Sequence, residues 1–155
     1  MVTVLTKEKE LESLKNNIHG RLSWEKYALK IAEVGSLRSE DVYAKVGACA
    51  LDFSNKVIGV AYNGLASGKV VPKEFWKDRD ERRPFMIHAE VNLLSLFKKG
   101  ECKLLACTLL PCSCCALMIS AYGIKKVVYK DIYQRDTKAL DIFKFYDVEC
   151  EQIAI

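Results

Sequence analysis

Two short stretches constrain the fold more than anything else in the chain: His88-Ala89-Glu90 and Pro111-Cys112-Ser113-Cys114-Cys115. They are far apart in sequence, yet their side chains suit a single metal ion. Zinc takes about four tetrahedral nitrogen or sulfur ligands, and a catalytic zinc leaves one position to water. His88, Cys112 and Cys115 supply three ligands. The two cysteines stand at i and i+3, which puts both on one side of a helix. Pro111 falls at, or just before, a first helical turn, where a missing N–H costs nothing. Thiolates at a helix N-terminus are favoured by the macrodipole and by the metal. Glu90 follows His88 by two residues, so it does not share the metal bond. It is placed to reach the water as a proton carrier. A fold that uses these residues must bring two helix starts to one point.

Each stretch alone says little. Paired cysteines also make redox motifs and structural zinc sites, and a histidine opening an apolar helix is usually a structural residue. In this order, each following an apolar stretch and opening an apolar helix, the two together point to a catalytic zinc.

The rest of the composition narrows the setting. At 155 residues the chain is expected to be one domain, residues 1–155. Half the residues are hydrophobic, enough for a core, and no run is long enough to span a membrane. Met1 to Asn17 is charged and helical in character, without a secretory apolar segment. The formal charge of +4 suits an anionic ligand without demanding nucleic acid. Seven cysteines, three of them crowded into Cys112–Cys115, do not make a secreted disulfide framework. A reducing, cytoplasmic setting is expected, with Cys49, Cys102, Cys107 and Cys150 as buried small hydrophobes.

Along the chain, Thr6 caps an expected first helix to about Asn17, with Leu11 and Leu14 on its stripe, and His19-Gly20 ends it. His19 reads as a surface residue. Ser23 caps a helix from Trp24 to Val34 that buries Tyr27, Ala28, Ile31, Ala32 and Val34, and Gly35 stops it. Strands are expected at Val46–Asp52 and Lys56–Tyr62, joined through Phe53-Ser54-Asn55, in a sheet covered on both faces. A long polar loop runs from Asn63-Gly64 to about Arg83; its charge run, Lys77–Arg83, reads as a solvated face. Then come a helix at His88–Lys99, a strand at Lys103–Leu110, a helix at Cys112–Tyr122 and a strand at Lys125–Tyr129. A helix at Asp136–Tyr146, with Leu140, Ile142, Phe143 and Phe145 on its apolar side, precedes a last strand at Val148–Ile153. This order predicts an α/β fold, a three-layer α/β/α sandwich with a mixed sheet of about five strands.

The sequence resembles the cytidine deaminase-like superfamily, and within it the deoxycytidylate (dCMP) deaminases, from about Trp24 to Val148. Besides the zinc signature, the resemblance rests on Leu37-Arg38-Ser39-Glu40-Asp41 with Val46-Gly47-Ala48, and on Ala61-Tyr62-Asn63-Gly64. It also rests on His88-Ala89-Glu90-Val91-Asn92 and on Gly123-Ile124-Lys125-Lys126-Val127-Val128-Tyr129. Departures are Val42 where the family often has Pro, Lys45 where it often has Gln, and Cys114 before the second metal cysteine. Cys114 reads as a packed thiol beside the site. Leu65 to Ile87 holds no Cys or His, so the second, structural zinc of some relatives is not expected.

The resemblance implies hydrolytic conversion of dCMP to dUMP with release of ammonia. It gives Glu90 the proton transfers to N3 and to the leaving amine. It places Asn63 on the deoxyribose, the Ala89 backbone on the pyrimidine edge, and Arg38 with Ser36 or Ser39 on the phosphate. Tyr133 and Arg135 are further phosphate candidates. It also implies a homo-oligomer, a hexamer in several relatives, activated by dCTP and inhibited by dTTP with Mg2+ accompanying the triphosphate. The rival enzymes are a cytidine or deoxycytidine deaminase, which needs no Arg38, a tRNA adenosine deaminase, which favours a basic groove, and a guanine-type deaminase. The rival outside enzymology is a nucleic-acid-binding module with a closed four-ligand zinc, in which Cys114 or another thiol fills the open position.

Overall fold

A computed structural model describes Glu8, Lys9, Leu11 and residues 20–155. The helix expected from Thr6 to Asn17, and His19, lie largely outside the described residues. From there on the chain forms α1 (Trp24–Ser36), β1 (Gly47–Asp52), β2 (Val57–Tyr62), α2 (Arg79–Arg82) and α3 (Ala89–Leu94). It continues with β3 (Cys102–Leu109), α4 (Ser113–Ala121), β4 (Lys126–Asp131), α5 (Lys138–Phe145) and β5 (Glu149–Gln152).

The five strands make one sheet in the order β2-β1-β3-β4-β5. β1 runs antiparallel to β2 and β3, while β3, β4 and β5 are parallel. Period-2 alternation divides the core between the two faces. Ala48, Ala50, Leu105, Cys107, Val127 and Tyr129 face α3, α4 and α5, whose Leu93, Ala116, Ile119 and Phe143 close over them. Cys49, Leu51, Leu104, Ala106 and Val128 point the other way, onto Ala28, Leu29 and Ala32 of α1. The expected three-layer sandwich and mixed sheet are what the chain forms. No helix among the described residues is long and apolar enough to cross a membrane.

Several local expectations are corrected. Gly35 does not stop α1; it is buried inside the helix, where a Cβ would stand 2.8 Å from Val60 Cγ1. The helix end is set by backbone bonds from Leu37. Its buried face is Ala28, Leu29, Ala32 and Gly35, whereas Tyr27 and Val34 are exposed, because the helix lies flat on small residues of β1. β2 is an edge strand, with Val57 and Val60 exposed, so the sheet is not covered throughout. The helix after His88 is one and a half turns long, ending at Leu94 rather than Lys99. On α5, Phe143 and Ala139 are buried while Phe145 is exposed. Cys49, Cys102 and Cys107 are buried as expected, and Cys150 is half-buried.

The tightest approach of the layers is at Gly47, where a Cβ would lie 1.8 Å from the Ala32 carbonyl oxygen. Gly47→Ala must therefore push α1 off the sheet. Overpacking of this kind costs about 1–3 kcal/mol or more, and a lowered midpoint in thermal unfolding followed by circular dichroism is the expected result.

Candidate active site

Both metal-ligand segments begin at helix starts that the sheet brings together. His88 is the N-cap of α3 and Cys112 the N-cap of α4, each in extended backbone with φ −69°. Extended geometry at an N-cap turns the side chain across the open end of its helix. The place of His88 is set one residue earlier. Gly64 N–H donates to Ile87 O at 3.0 Å, and Ile87 N–H donates to Gly64 O at 2.8 Å. Asn92 then ties α3 to β2, its Nδ2 donating to Tyr62 O at 2.9 Å. On the cysteine side, Ser113 N–H at the start of α4 donates to Asp136 Oδ2 at 2.8 Å. That bond, which holds the Asp136 carboxyl below its usual range, also fixes the loop that carries Tyr133.

The result is a compact donor set. His88 Nδ1 stands 3.5 Å from Cys112 Sγ and 3.4 Å from Cys115 Sγ, and all three ligand atoms lie within 4.8 Å of one another. A tetrahedral ion with bonds of about 2.0 Å to nitrogen and about 2.3 Å to sulfur requires N···S separations of about 3.5 Å. The donors fit zinc, and no fourth His, Cys, Asp or Glu among the described residues joins the group. Cys114 is exposed and outside it, which corrects the expectation of a packed thiol beside the site.

The electrostatics suit a cation. Cys112 is held down to about 4 by its bonds from Cys115 and His88, against burial. Cys115 is pushed well up by the same contact with Cys112 and by burial. His88 is raised, chiefly by its bond to Cys112. Glu90, on the first turn of α3, is 4 % exposed, and burial raises its carboxyl above the usual range despite the nearby His88.

These residues open into one cavity. His88, Ala89, Glu90, Leu109, Leu110 and Cys112 line it. Asp41, Tyr43, Ala44, Val46 and Asn63 also line it, as do Arg79, Arg82, Arg83, Met86 and Tyr133. Asn63 is nearly saturated. Its Oδ1 accepts from Val46 N–H at 2.9 Å and lies 2.7 Å from Ser39 Oγ, and its Nδ2 donates to Ala44 O at 2.8 Å. One N–H of that amide is left for a ligand.

Of the residues expected at the site, His88, Ala89, Glu90, Cys112, Asn63 and Tyr133 meet around this cavity. Ser36, Arg38 and Arg135 do not line it. Arg38 and Arg135 are exposed, and Ser36 Oγ donates back to Glu33 O at 2.6 Å. The charge run Lys77–Arg83 is not simply a solvated face. Arg82 is 3 % exposed and its Nη1 donates to Asp41 Oδ2 at 2.9 Å. The guanidinium lies over the Tyr43 ring at 4.5 Å, and Tyr43 OH donates to Lys77 O at 3.1 Å. Pairing across so many residues leaves no trace in local periodicity; the one available hint was an aspartate in Leu37–Asp41 and an arginine run before His88.

Fold and donors together define a zinc-binding α/β protein. Residues 22–131 match the family described as the cytidine and deoxycytidylate deaminase zinc-binding region, and the chain belongs to that family. It is 30% identical to the deoxycytidylate deaminase of Pongo abelii, over 82% of this chain and 76% of that protein. It is 32% identical to the deoxycytidylate deaminase of Homo sapiens, over 70% of this chain and 65% of that one. The crystal structure of the dCMP deaminase of cyanophage S-TIM5 in complex with dCMP and dUMP superposes with a TM-score of 0.70. That match has 30% identity, over 83% of this chain and 95% of that one.

Metal binding needs both cysteines as thiolates and His88 neutral, against the upward shifts of Cys115 and His88. The bound state carries fewer protons than the free one, so affinity rises with pH. A competition titration against a zinc-sensitive dye is expected to show affinity falling about tenfold per pH unit, per proton released, as the pH is lowered from neutrality.

Proposed function

We propose that the chain deaminates dCMP to dUMP by hydrolysis, releasing ammonia. One observation carries this reading: three zinc donors, with no fourth among the described residues, beside a buried carboxyl at a cavity that arginines also line. Membership of the family supports the chemistry, and the names of the relatives support the substrate.

His88, Cys112 and Cys115 would hold zinc, which when bound supplies Lewis-acid chemistry that brings the pKa of a water toward neutrality. Glu90 takes a proton from the attacking water and gives it to ring N3. It then takes the remaining proton of the new C4 hydroxyl and delivers it to the departing amine as the C4–N bond breaks, so that cytosine and water become uracil and ammonia. Burial suits it to this work, since a carboxyl raised above its usual range passes protons more readily near neutral pH. The Ala89 backbone faces the pyrimidine edge, and the spare N–H of Asn63 takes a deoxyribose hydroxyl. Tyr133, which also lines the cavity, packs on the substrate.

The remaining readings rest on the resemblance. They are a single deaminase domain over residues 1–155, a homo-oligomer of six chains, and control by dCTP and dTTP with Mg2+ beside the triphosphate. Seven free cysteines support a reducing, cytoplasmic location. The closed structural-zinc alternative has Cys114 pointing against it, since that thiol is outside the donor group.

The test is ammonia release from dCMP, dCTP, cytidine and deoxycytidine side by side, with zinc counted per chain. The highest kcat/KM is expected for dCMP. Glu90→Gln is expected to retain zinc and lose about 10²–10⁴-fold in turnover. Full turnover in that variant removes Glu90 from the mechanism.

A further inference from the structure

Five polar or charged residues are buried among the described ones: Ser39, Asp41, Arg82, Glu90 and Thr108. Glu90 belongs to the reaction, and Thr108 Oγ1 accepts from Gly47 N–H at 3.1 Å between β3 and β1. The other three stand in one chain of contacts that the mechanism does not use. Arg82, at the end of α2, donates from Nη1 to Asp41 Oδ2 at 2.9 Å. Asp41 Oδ1 accepts from the backbone N–H groups of Tyr43 and Ala44 at 2.8 and 3.1 Å. Asp41 N–H donates to Ser39 Oγ at 3.2 Å. Ser39 Oγ in turn lies 2.7 Å from Asn63 Oδ1 and 2.8 Å from Asn63 O. The chain of contacts thus ends on Asn63, which lines the cavity.

What these contacts hold is the direction of the Asn63 amide. Val46 N–H can only donate and Ala44 O can only accept, so Oδ1 faces the first at 2.9 Å and Nδ2 the second at 2.8 Å. Both partners lie on the short segment that Asp41 folds back. Its carboxylate takes up the N–H groups two and three residues on, the bonding of an Asx turn. Such charge-assisted bonds are roughly twice as strong as neutral ones. Arg82 anchors that carboxylate from the lobe between Gly64 and Ile87. Its guanidinium carbon lies 4.5 Å from the Tyr43 ring centre and 5.7 Å from that of Trp76. Arg82 Nε–H is buried with no acceptor among the described residues, so the arrangement is kept at a cost to stability. The Ser39 hydroxyl gives Asn63 Oδ1 its second donor. Of the bonding positions of that amide, one Nδ2–H is left free.

We propose that Ser39, Asp41 and Arg82 are positioning residues that aim the free Nδ2–H of Asn63 at a hydroxyl on the sugar of the substrate. The inference deepens the deaminase reading and rests on it. In the 5′-monophosphate of deoxycytidine the one free sugar hydroxyl is the 3′-hydroxyl. A fixed amide therefore favours a ligand with that hydroxyl over one with hydrogen in its place, because the unanswered N–H has no other partner. An amide free to turn loses the preference. The three residues act through Asn63, and the lobe before the histidine ligand takes part through Arg82 alone of the three.

The test uses the zinc-loaded full chain. kcat/KM is measured for dCMP and for its analogue with hydrogen in place of the 3′-hydroxyl. Calorimetry gives the binding of dUMP and of its matching 3′-deoxy analogue. Wild type is expected to prefer the hydroxyl-bearing member of each pair by about 10-fold, the worth of one hydrogen bond. Asn63→Ala, Ser39→Ala and Asp41→Asn are each expected to lower that preference toward parity, and Ser39→Thr to keep it by keeping the hydroxyl. Ser39→Ala added to Asn63→Ala is expected to change the preference no further, since the two act through one bond. A role confined to fold stability weakens both members of a pair alike and leaves their ratio at the wild-type value. That result, a wild type without the preference, or additive losses in the double variant overturns the proposal. Should Asp41→Asn fail to fold through the loss of a buried ion pair, Ser39→Ala, which removes one oxygen, decides. A protein that prefers dUMP through Ser39 and Asn63 yet deaminates nothing upholds the positioning role and defeats the deaminase reading.

Discussion

One requirement shapes the molecule: two helices from separate parts of the chain must start at the same point. A tetrahedral ion tolerates little error in its donors, since the separations follow from bond lengths that vary by only about 0.2 Å. The chain meets this with adjacent strands. β1 and β3 pair directly, and the two helices that bear the ligands lie on the same face of the sheet. His88 and Cys112 then occupy equivalent places, each the last extended residue before its helix. The apolar layers behind them act as the rigid backing that an exact donor spacing needs.

The site also works against the stability of the fold. Glu90 is a carboxyl raised by burial, and Cys115 is a thiol pushed up by Cys112 and by burial. Groups like these are retained for chemistry, because an apolar side chain would pack there at lower cost. A bound cation reverses the balance. It favours the charged forms that burial penalises, so the metal that serves the reaction also steadies the part of the core that holds it.

Much of this was legible in the sequence because it depends on local spacing. The donors at 88, 112 and 115, the proline before the second helix, and the alternation along β1, β3 and β4 all follow from positions near one another in the chain. What was not legible depends on contacts between distant segments. Gly35 has the composition of a helix stop, yet α1 passes through it because β2 comes too close for a side chain. Val34 and Phe145 fall in apolar patterns but face outward, since none of the described residues covers those sides. The arginine run before His88 looks like a solvated surface. Its middle member is buried by an aspartate and a tyrosine supplied from the segment between α1 and β1. Cys114, in the densest cysteine cluster, is the one that faces away from the metal donors.

The paired backbone bonds between Gly64 and Ile87 pinch residues 65–86 into a closed lobe just before the histidine ligand. Because the pinch uses main-chain atoms only, it does not depend on which side chains the lobe carries. Insertions, deletions or wholesale exchange of that lobe can therefore remodel what enters the cavity while the histidine keeps its place. Such an architecture lets selectivity drift on its own, as a detachable cassette grafted onto fixed chemistry.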